Sequence, residues 1–275
     1  VTSALEISAA RPPVQTKVGR VRAVCLDIDD TLLDNESSSR QGLHALVGND
    51  GAWPVWRRTT EEHYARFVAG EIGFDSMCTE RTRAFFAAFG EELSNAEAAR
   101  RESVRMAAMQ RAWALFDDAA PCLEWLRAAG LKLAVITNAP SAYQRKKIAS
   151  VGLADTFDAL LISGEVGIAK PEAGIFQAAC AALDMRPEEV VHVGDRLDTD
   201  AQGASAAGMH GVWLNRGPQR VDPPAGVRVI NSLSELPELL VCDLHPDLVQ
   251  TQGWMPAQDH RMPSPDCREV FGPAR

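Results

Sequence analysis

The sequence lacks the features that would direct it to a membrane, a nucleic acid or a disulfide-stapled scaffold. No stretch approaches the ~20 unbroken apolar residues of a membrane helix. Positive charge is in deficit: 28 Lys and Arg stand against 37 Asp and Glu, a formal net charge of −9. General nucleic-acid binding relies on a basic surface to displace counterions from phosphates, so that balance disfavours it. The six cysteines, Cys25, Cys78, Cys122, Cys180, Cys242 and Cys267, form no C-x-x-C pair, and several lie in apolar runs. The pattern is that of reduced, mostly buried thiols in a cytoplasmic protein, with neither a disulfide framework nor a zinc site. The opening residues have no basic start followed by a long apolar core, so a secretory signal is not expected. His44, His63, His210, His245 and His260 show no metal-ligand spacing, and His192 reads as a satisfied histidine within an apolar strand. The P-loop, nucleophile-elbow and zincin signatures are all missing.

What remains is ordinary globular material: 275 residues, 46% hydrophobic and 24% charged, enough for one large domain or two modest ones. Short apolar runs bounded by polar residues recur at 21–26, 131–137, 158–163, 190–195 and 211–215, with an edge candidate at 227–230. Such runs suit strands buried on both faces. Helical spacing lies between them: 121–130 has Pro121 in its first turn and Gly130 at its end, and Ile175, Ala179 and Leu183 form one stripe. Strand and helix in alternation predict an α/β fold, a parallel sheet covered on both faces. The interval from about Ser37 to Asp118 breaks the alternation with helical stretches only, around His44 and over 53–69, 75–89 and 95–116. Phe85, Phe86 and Phe89, and separately Met106, Met109 and Trp113, read as core stripes of a small inserted bundle. The expected organisation is a flexible arm (1–20), an α/β core (21–34 and 119–240), a helical cap (35–118) and an irregular Pro-rich tail (241–275), partly packed through Trp254.

In an open parallel sheet, ligands bind beyond the carboxyl ends of the strands. The first expected strand ends in Asp27, Asp29, Asp30 and Thr31, the second in Thr137 and Asn138, and the fourth in Gly194, Asp195, Asp198 and Asp200; Lys170 precedes Pro171 at a helix start. Several carboxylates gathered at one edge repel one another unless a cation intervenes. A hard divalent ion with few protein ligands suits Mg²⁺, and with Lys170 beside it the acidic site accepts a phosphate.

Asp27-x-Asp29-x-Thr31, then Thr137, then Lys170, then Gly194-Asp195 with Asp200 resemble, in order, the four motifs of the haloacid dehalogenase (HAD) superfamily over about 21–215. The resemblance implies a Rossmann-like core and a Mg²⁺-dependent phosphomonoesterase acting on a small phosphorylated metabolite, a nucleoside monophosphate or sugar phosphate. It implies Asp27 as nucleophile, Asp29 as general acid and base, Thr137 and Asn138 with Lys170 around the phosphate, and Mg²⁺ on Asp27, the Asp29 carbonyl and Asp195. Asp200 would stand one step back from the ion, with Asp198 its rival. Halide departs without a proton, and superfamily members acting on carbon–halogen bonds lack the second acid, so Asp29 favours phosphate esters. A phosphosugar mutase of the same superfamily, or a non-catalytic phospho-ligand binder, are the alternatives. Asp30 and Asp34 read as turn and capping acids, and Thr31 as a residue fixing the loop. The inserted segment around Gly70-Glu71-Ile72 and Arg81-x-Arg83 is similar to the caps of pyrimidine 5′-nucleotidases and N-acylneuraminate-9-phosphatase-like members. Arg81 or Arg83 is thereby a candidate for substrate contact, against plain surface pairing with acids such as Glu80.

Overall fold

The computed structural model describes residues 21–217, 223–224 and 226–244. The expected arm and nearly all of the Pro-rich tail, Trp254 included, lie outside the described residues. Six parallel strands form one sheet in the order β3-β2-β1-β4-β5-β6: β1 Ala23–Leu26, β2 Lys132–Thr137, β3 Ala159–Ile162, β4 Val190–Gly194, β5 His210–Leu214 and β6 Arg228–Ile230. Each of the five apolar runs named above thus holds a strand, and the candidate at 227–230 forms one edge of the sheet. Val24 and Leu26 enter the core on one face, with Leu133, Val135, Val191 and Val193. Ala23 and Cys25 enter the other, with Ile175, Phe176, Ala179 and Leu183. All four β1 residues are buried, as a strand with helices on both sides requires. Chain order reverses about β1, which pairs with β2 on one side and β4 on the other. That reversal opens a crevice at the carboxyl ends of the three strands.

Between β1 and α5 (Ala119–Ala128) run four helices: α1 Asn35–Val47, α2 Trp53–Val68, α3 Phe74–Ala87 and α4 Asn95–Arg111. Asp34 caps α1, its carboxylate accepting from the Ser37 amide at 2.9 Å. Leu43, Trp53, Trp56, Phe85 and Phe86 make a separate apolar cluster inside the four helices. Phe89 is not part of the buried set; it follows the end of α3 and is 58% exposed, its ring centre 5.3 Å from that of Phe85. Helix α4 stops at Arg111, short of the expected Phe116. Its apolar spacing runs on because Leu115 pairs with Leu33 and the Phe116 amide donates to the Leu32 carbonyl, returning the chain to the sheet. Met109 and Trp113 accordingly pack into the cluster beneath the sheet.

The remaining helices are α6 Ser141–Ser150, α7 Ser163–Val166, α8 Ala173–Leu183, α9 Gly203–Ala206 and α10 Leu236–Leu239, with a π-helical stretch at Leu197–Gln202 before α9. Leu240 and Val241 are buried, so the chain stays packed past the point where an irregular tail was expected. No helix among the described residues is long and apolar enough to cross a membrane. Cys25, Cys78, Cys122 and Cys180 are free and buried. Cys242 is disulfide-bonded, which corrects the expectation of reduced thiols throughout.

Candidate active site

Asp27 leaves β1 still held by the sheet, its amide donating to the Val193 carbonyl at 2.9 Å, so its side chain has a fixed origin. The chain then turns sharply: Asp30 has φ +57°, and its carboxylate accepts from the Glu36 amide at 2.8 Å. Burial pushes the Asp30 carboxyl up to about 7. Asp30 and Asp34 are occupied in shaping this turn and the helix after it. The Thr31 hydroxyl has no hydrogen-bond partner among the described residues; its main-chain carbonyl accepts from Arg216 at 2.9 Å.

Lys170 is buried between Asp27 and Asp200, with Nζ at 2.7 Å from Asp27 Oδ1 and 2.6 Å from Asp200 Oδ1. Its main chain is clamped by Asn138, whose Nδ2 donates to the Lys170 carbonyl at 2.9 Å and whose Oδ1 accepts from the Lys170 amide at 2.8 Å. Asp200 is fully engaged: Oδ1 also contacts His192 Nε2 at 3.2 Å, and Oδ2 accepts from the Arg196 amide at 3.0 Å. Burial works against its charge, yet Lys170 and His192 hold the Asp200 carboxyl well below the usual range. Gly194 makes this approach possible, since a Cβ there would lie 2.2 Å from Asp200 Cγ. Asp198, the rival residue, is exposed and bonds the Thr199 amide.

Asp195 differs. Its main-chain carbonyl accepts from Trp213 Nε1 at 2.8 Å, but its carboxylate has no partner among the described residues. Burial, then the nearby Asp27 and Asp200, push the Asp195 carboxyl up to about 9. Burial likewise raises Asp27, to about 6, against the pull of Lys170. Asp27, Asp195 and Asp200 each offer an oxygen within 4.8 Å of the others. Three hard carboxylate donors against one ammonium, one of them unpartnered, fit a divalent cation of the Mg²⁺ type.

Two residues missed by sequence reasoning complete the site. Lys147 of α6 is buried, its Nζ ion-paired to Asp29 and 4.8 Å from the centre of the Tyr143 ring. Gln144, one turn earlier, donates to Thr137 Oγ1 at 3.0 Å and approaches Asp29 Oδ2 at 3.3 Å. The Thr137 hydroxyl therefore accepts from Gln144 and keeps its own proton to donate. Spacing offered a signal, since Gln144, Lys147 and Ile148 form one buried face. The basic run Arg145-Lys146-Lys147 disguised it as a solvated surface.

Asp27, Asp29, Thr137, Asn138, Lys147, Lys170, Asp195 and Asp200 line one cavity of about 570 Å³, roofed by the inserted helices. Tyr64 of α2 ties roof to floor, its hydroxyl donating to the Asn138 carbonyl at 3.1 Å. The two candidate arginines part company. Arg81 is buried and lines the cavity, whereas Arg83 is exposed and donates to Asn95 at 2.8 Å. Glu80 pairs with neither of them but with Arg66, at 2.7 Å.

A model of the haloacid dehalogenase-like hydrolase family matches residues 21–208. Phosphoserine phosphatase of Thermus thermophilus is 32% identical, over 74% of this chain and 93% of its own length. N-acylneuraminate-9-phosphatase of Mus musculus is 28% identical, over 81% and 95%. Among solved structures, a magnesium-bound HAD-hydrolase of Bacillus subtilis has a TM-score of 0.69 at 23% identity, covering 80% of this chain and 99% of its own. An L-2-haloacid dehalogenase of Xanthobacter autotrophicus reaches 0.65 at 23%, covering 80% and 98%.

Proposed function

This chain belongs to the haloacid dehalogenase-like hydrolases, and from that premise we propose that it is a Mg²⁺-dependent phosphomonoesterase working through an aspartyl-phosphate. One observation carries the reading: Asp27 is buried 2.7 Å from Lys170 beside the unpartnered Asp195, with Asp29 on the same cavity. Asp27 attacks phosphorus, and the substrate's alcohol departs with a proton from Asp29. Asp29 then takes a proton from water, which attacks the aspartyl-phosphate, releases inorganic phosphate and restores Asp27. Lys147 and Gln144 fix the orientation of the Asp29 carboxylate for both transfers. Lys170 and the Thr137 hydroxyl meet the charge on the transferring oxygens, and Asn138 keeps Lys170 in position through the main chain. Asp27, the Asp29 carbonyl and Asp195 would hold Mg²⁺, with Asp200 one step back on Lys170; the ion supplies charge neutralisation at the phosphoryl group. Departing halide needs no proton, so Asp29 supports ester hydrolysis over dehalogenation. The four inserted helices act as a cap that excludes water and carries contacts to the alcohol portion of the substrate.

A phosphate-release screen over nucleotides, sugar phosphates and phosphorylated acids, with and without Mg²⁺, tests this. Turnover that needs the metal is the expected result. Turnover of haloacids with no phosphate release from any ester would end the proposal.

A further inference from the structure

The roof of the cavity holds a second buried ionic cluster that the chemistry above does not use. Arg81 of α3 and Arg105 of α4 share a single carboxylate, Glu102. Arg81 Nη2 donates to Glu102 Oε1 at 2.6 Å, and Arg105 donates to both oxygens at 2.8 and 2.9 Å. Glu102 Oε2 accepts from the Thr82 hydroxyl as well, at 2.8 Å. All three charged side chains are buried. Two guanidinium ions thus face one carboxylate, and one positive charge is left over. The Trp56 ring lies beneath both, 4.6 and 4.9 Å from the guanidinium carbons, but a ring face offers no acceptor to the N–H edges. Among the described residues, buried Arg81 Nε has no partner, and Arg105 Nη1 finds only the Met109 sulfur at 3.2 Å. Burial, then the like charge of Arg105, weakens the hold of Arg81 on its proton. Both arginines line the cavity that holds Asp27 and Lys170. Glu61, also on that lining, is exposed and lies 3.8 Å from Arg57.

Resting on the phosphomonoesterase reading, we infer that this cluster is a carboxylate subsite: the alcohol portion of the substrate carries a carboxylate received by Arg81 and Arg105. A guanidinium edge matches a planar two-oxygen anion. The surplus is one charge, which a carboxylate neutralises and a second phosphate dianion would overshoot. A nucleoside has no such group to offer. The substrate class is therefore a small phosphorylated hydroxy, amino or sugar acid.

The test compares kcat/KM for esters differing only at that position: phosphoserine with phosphoethanolamine, and phosphoglycerate with glycerol phosphate. The acid of each pair is expected to be favoured by about 100-fold. Arg81→Gln should collapse the preference through KM, and Arg81→Lys should restore part of it. The ratio within one protein is independent of how much of a variant folds. No preference in the unaltered enzyme, a preference untouched by Arg81→Gln, or a stronger preference for propanediol bisphosphate would each overturn the assignment. If p-nitrophenyl phosphate and every other ester stay uncleaved, it is the parent reading that fails. Calorimetric binding of phosphoglycerate against glycerol phosphate then decides the subsite alone, equal affinities refuting it.

Discussion

Floor and roof of the same cavity each bury an ionic cluster, and the two are unbalanced in opposite directions. On the floor, Asp27 and Asp200 pair with one ammonium, Lys170, and the half-buried Asp195 offers an oxygen within 4.8 Å of theirs. On the roof, Arg81 and Arg105 surround one carboxylate, Glu102. Removing charge from water is expensive, and a buried pair recovers that cost only when each charge is matched. Stability alone favours apolar packing at both places, so unmatched charge retained twice around one void marks where ligands of opposite sign belong. The floor calls for a cation and the phosphate it attracts; the roof calls for an anion. Lys147 with Asp29 is the counterexample: while Asp29 is ionised, one ammonium stands on one carboxylate and the pair is matched.

The sharpest break in this symmetry comes from the nucleophile. Asp27→Asn is nearly isosteric and removes one floor carboxylate while Lys170 keeps Asp200. Phosphate release should fall by at least about 10³-fold. The melting temperature should hold or rise, because burial already disfavours the Asp27 charge. Retained activity would displace Asp27 from its role, and a collapsed melting temperature would mean that the floor carboxylates are matched after all.

On the roof the two signs must behave unequally. Glu102→Gln strands two guanidinium ions and should destabilise by about 3–5 kcal/mol in urea titration. Arg81→Met removes the surplus charge, leaves Arg105 with Glu102, and should cost about 1 kcal/mol or less. Equal losses from the two substitutions would mean that the roof is balanced by something other than a ligand.

A smaller effect separates ligand-seeking charge from structural charge. Asp118, at the start of α5, accepts from both Arg216 Nη atoms at 2.8 Å, from the Ser232 hydroxyl at 2.7 Å and from the Leu233 amide at 2.9 Å. Burial opposes its charge, but these donors hold its carboxyl below the usual range. A depressed folded value means the stabilisation is complete above the unfolded pKa of about 3.9 and drains as pH falls through the folded one. Asp118→Asn should therefore cost about 1–3 kcal/mol near neutrality. The gap between variant and parent should narrow in acid below about pH 4, with phosphate release following only the folded fraction.

Much of the floor was legible because its residues stand at strand ends. Short apolar runs give their strands away when both faces are buried, and the acids that terminate them can be read in order. The roof was legible only in outline. Helical stretches were evident, but the spacing at Trp113 and Leu115 continued a helix that the Leu33 pairing ends. Glu102 and Arg105 look like one more i, i+3 surface pair in a charged helix, since nothing in their spacing reveals that Arg105 lies against Trp56 and that Arg81 reaches Glu102. Lys147 was hidden in a basic run for the same reason: burial of a charge is decided by partners distant in the chain, here Asp29.

Arg81 and Arg83 supply the finest test, because sequence alone could not choose between them. At 100° per residue, two positions turn a helix by about 200°, so adjacent-but-one side chains face opposite ways. In α3 that rotation sends Arg81 inward to Glu102 and Arg83 outward to Asn95, where it is exposed. An exposed hydrogen bond of this kind is worth little, and Arg83→Ala should change stability by less than about 0.5 kcal/mol. It should also leave the ratio of kcat/KM between phosphoserine and phosphoethanolamine where it was, while Arg81→Gln moves it. If Arg83→Ala shifted that ratio as far as Arg81→Gln does, discrimination would arise from the general positive field of the roof, and the buried pair would lose its special claim.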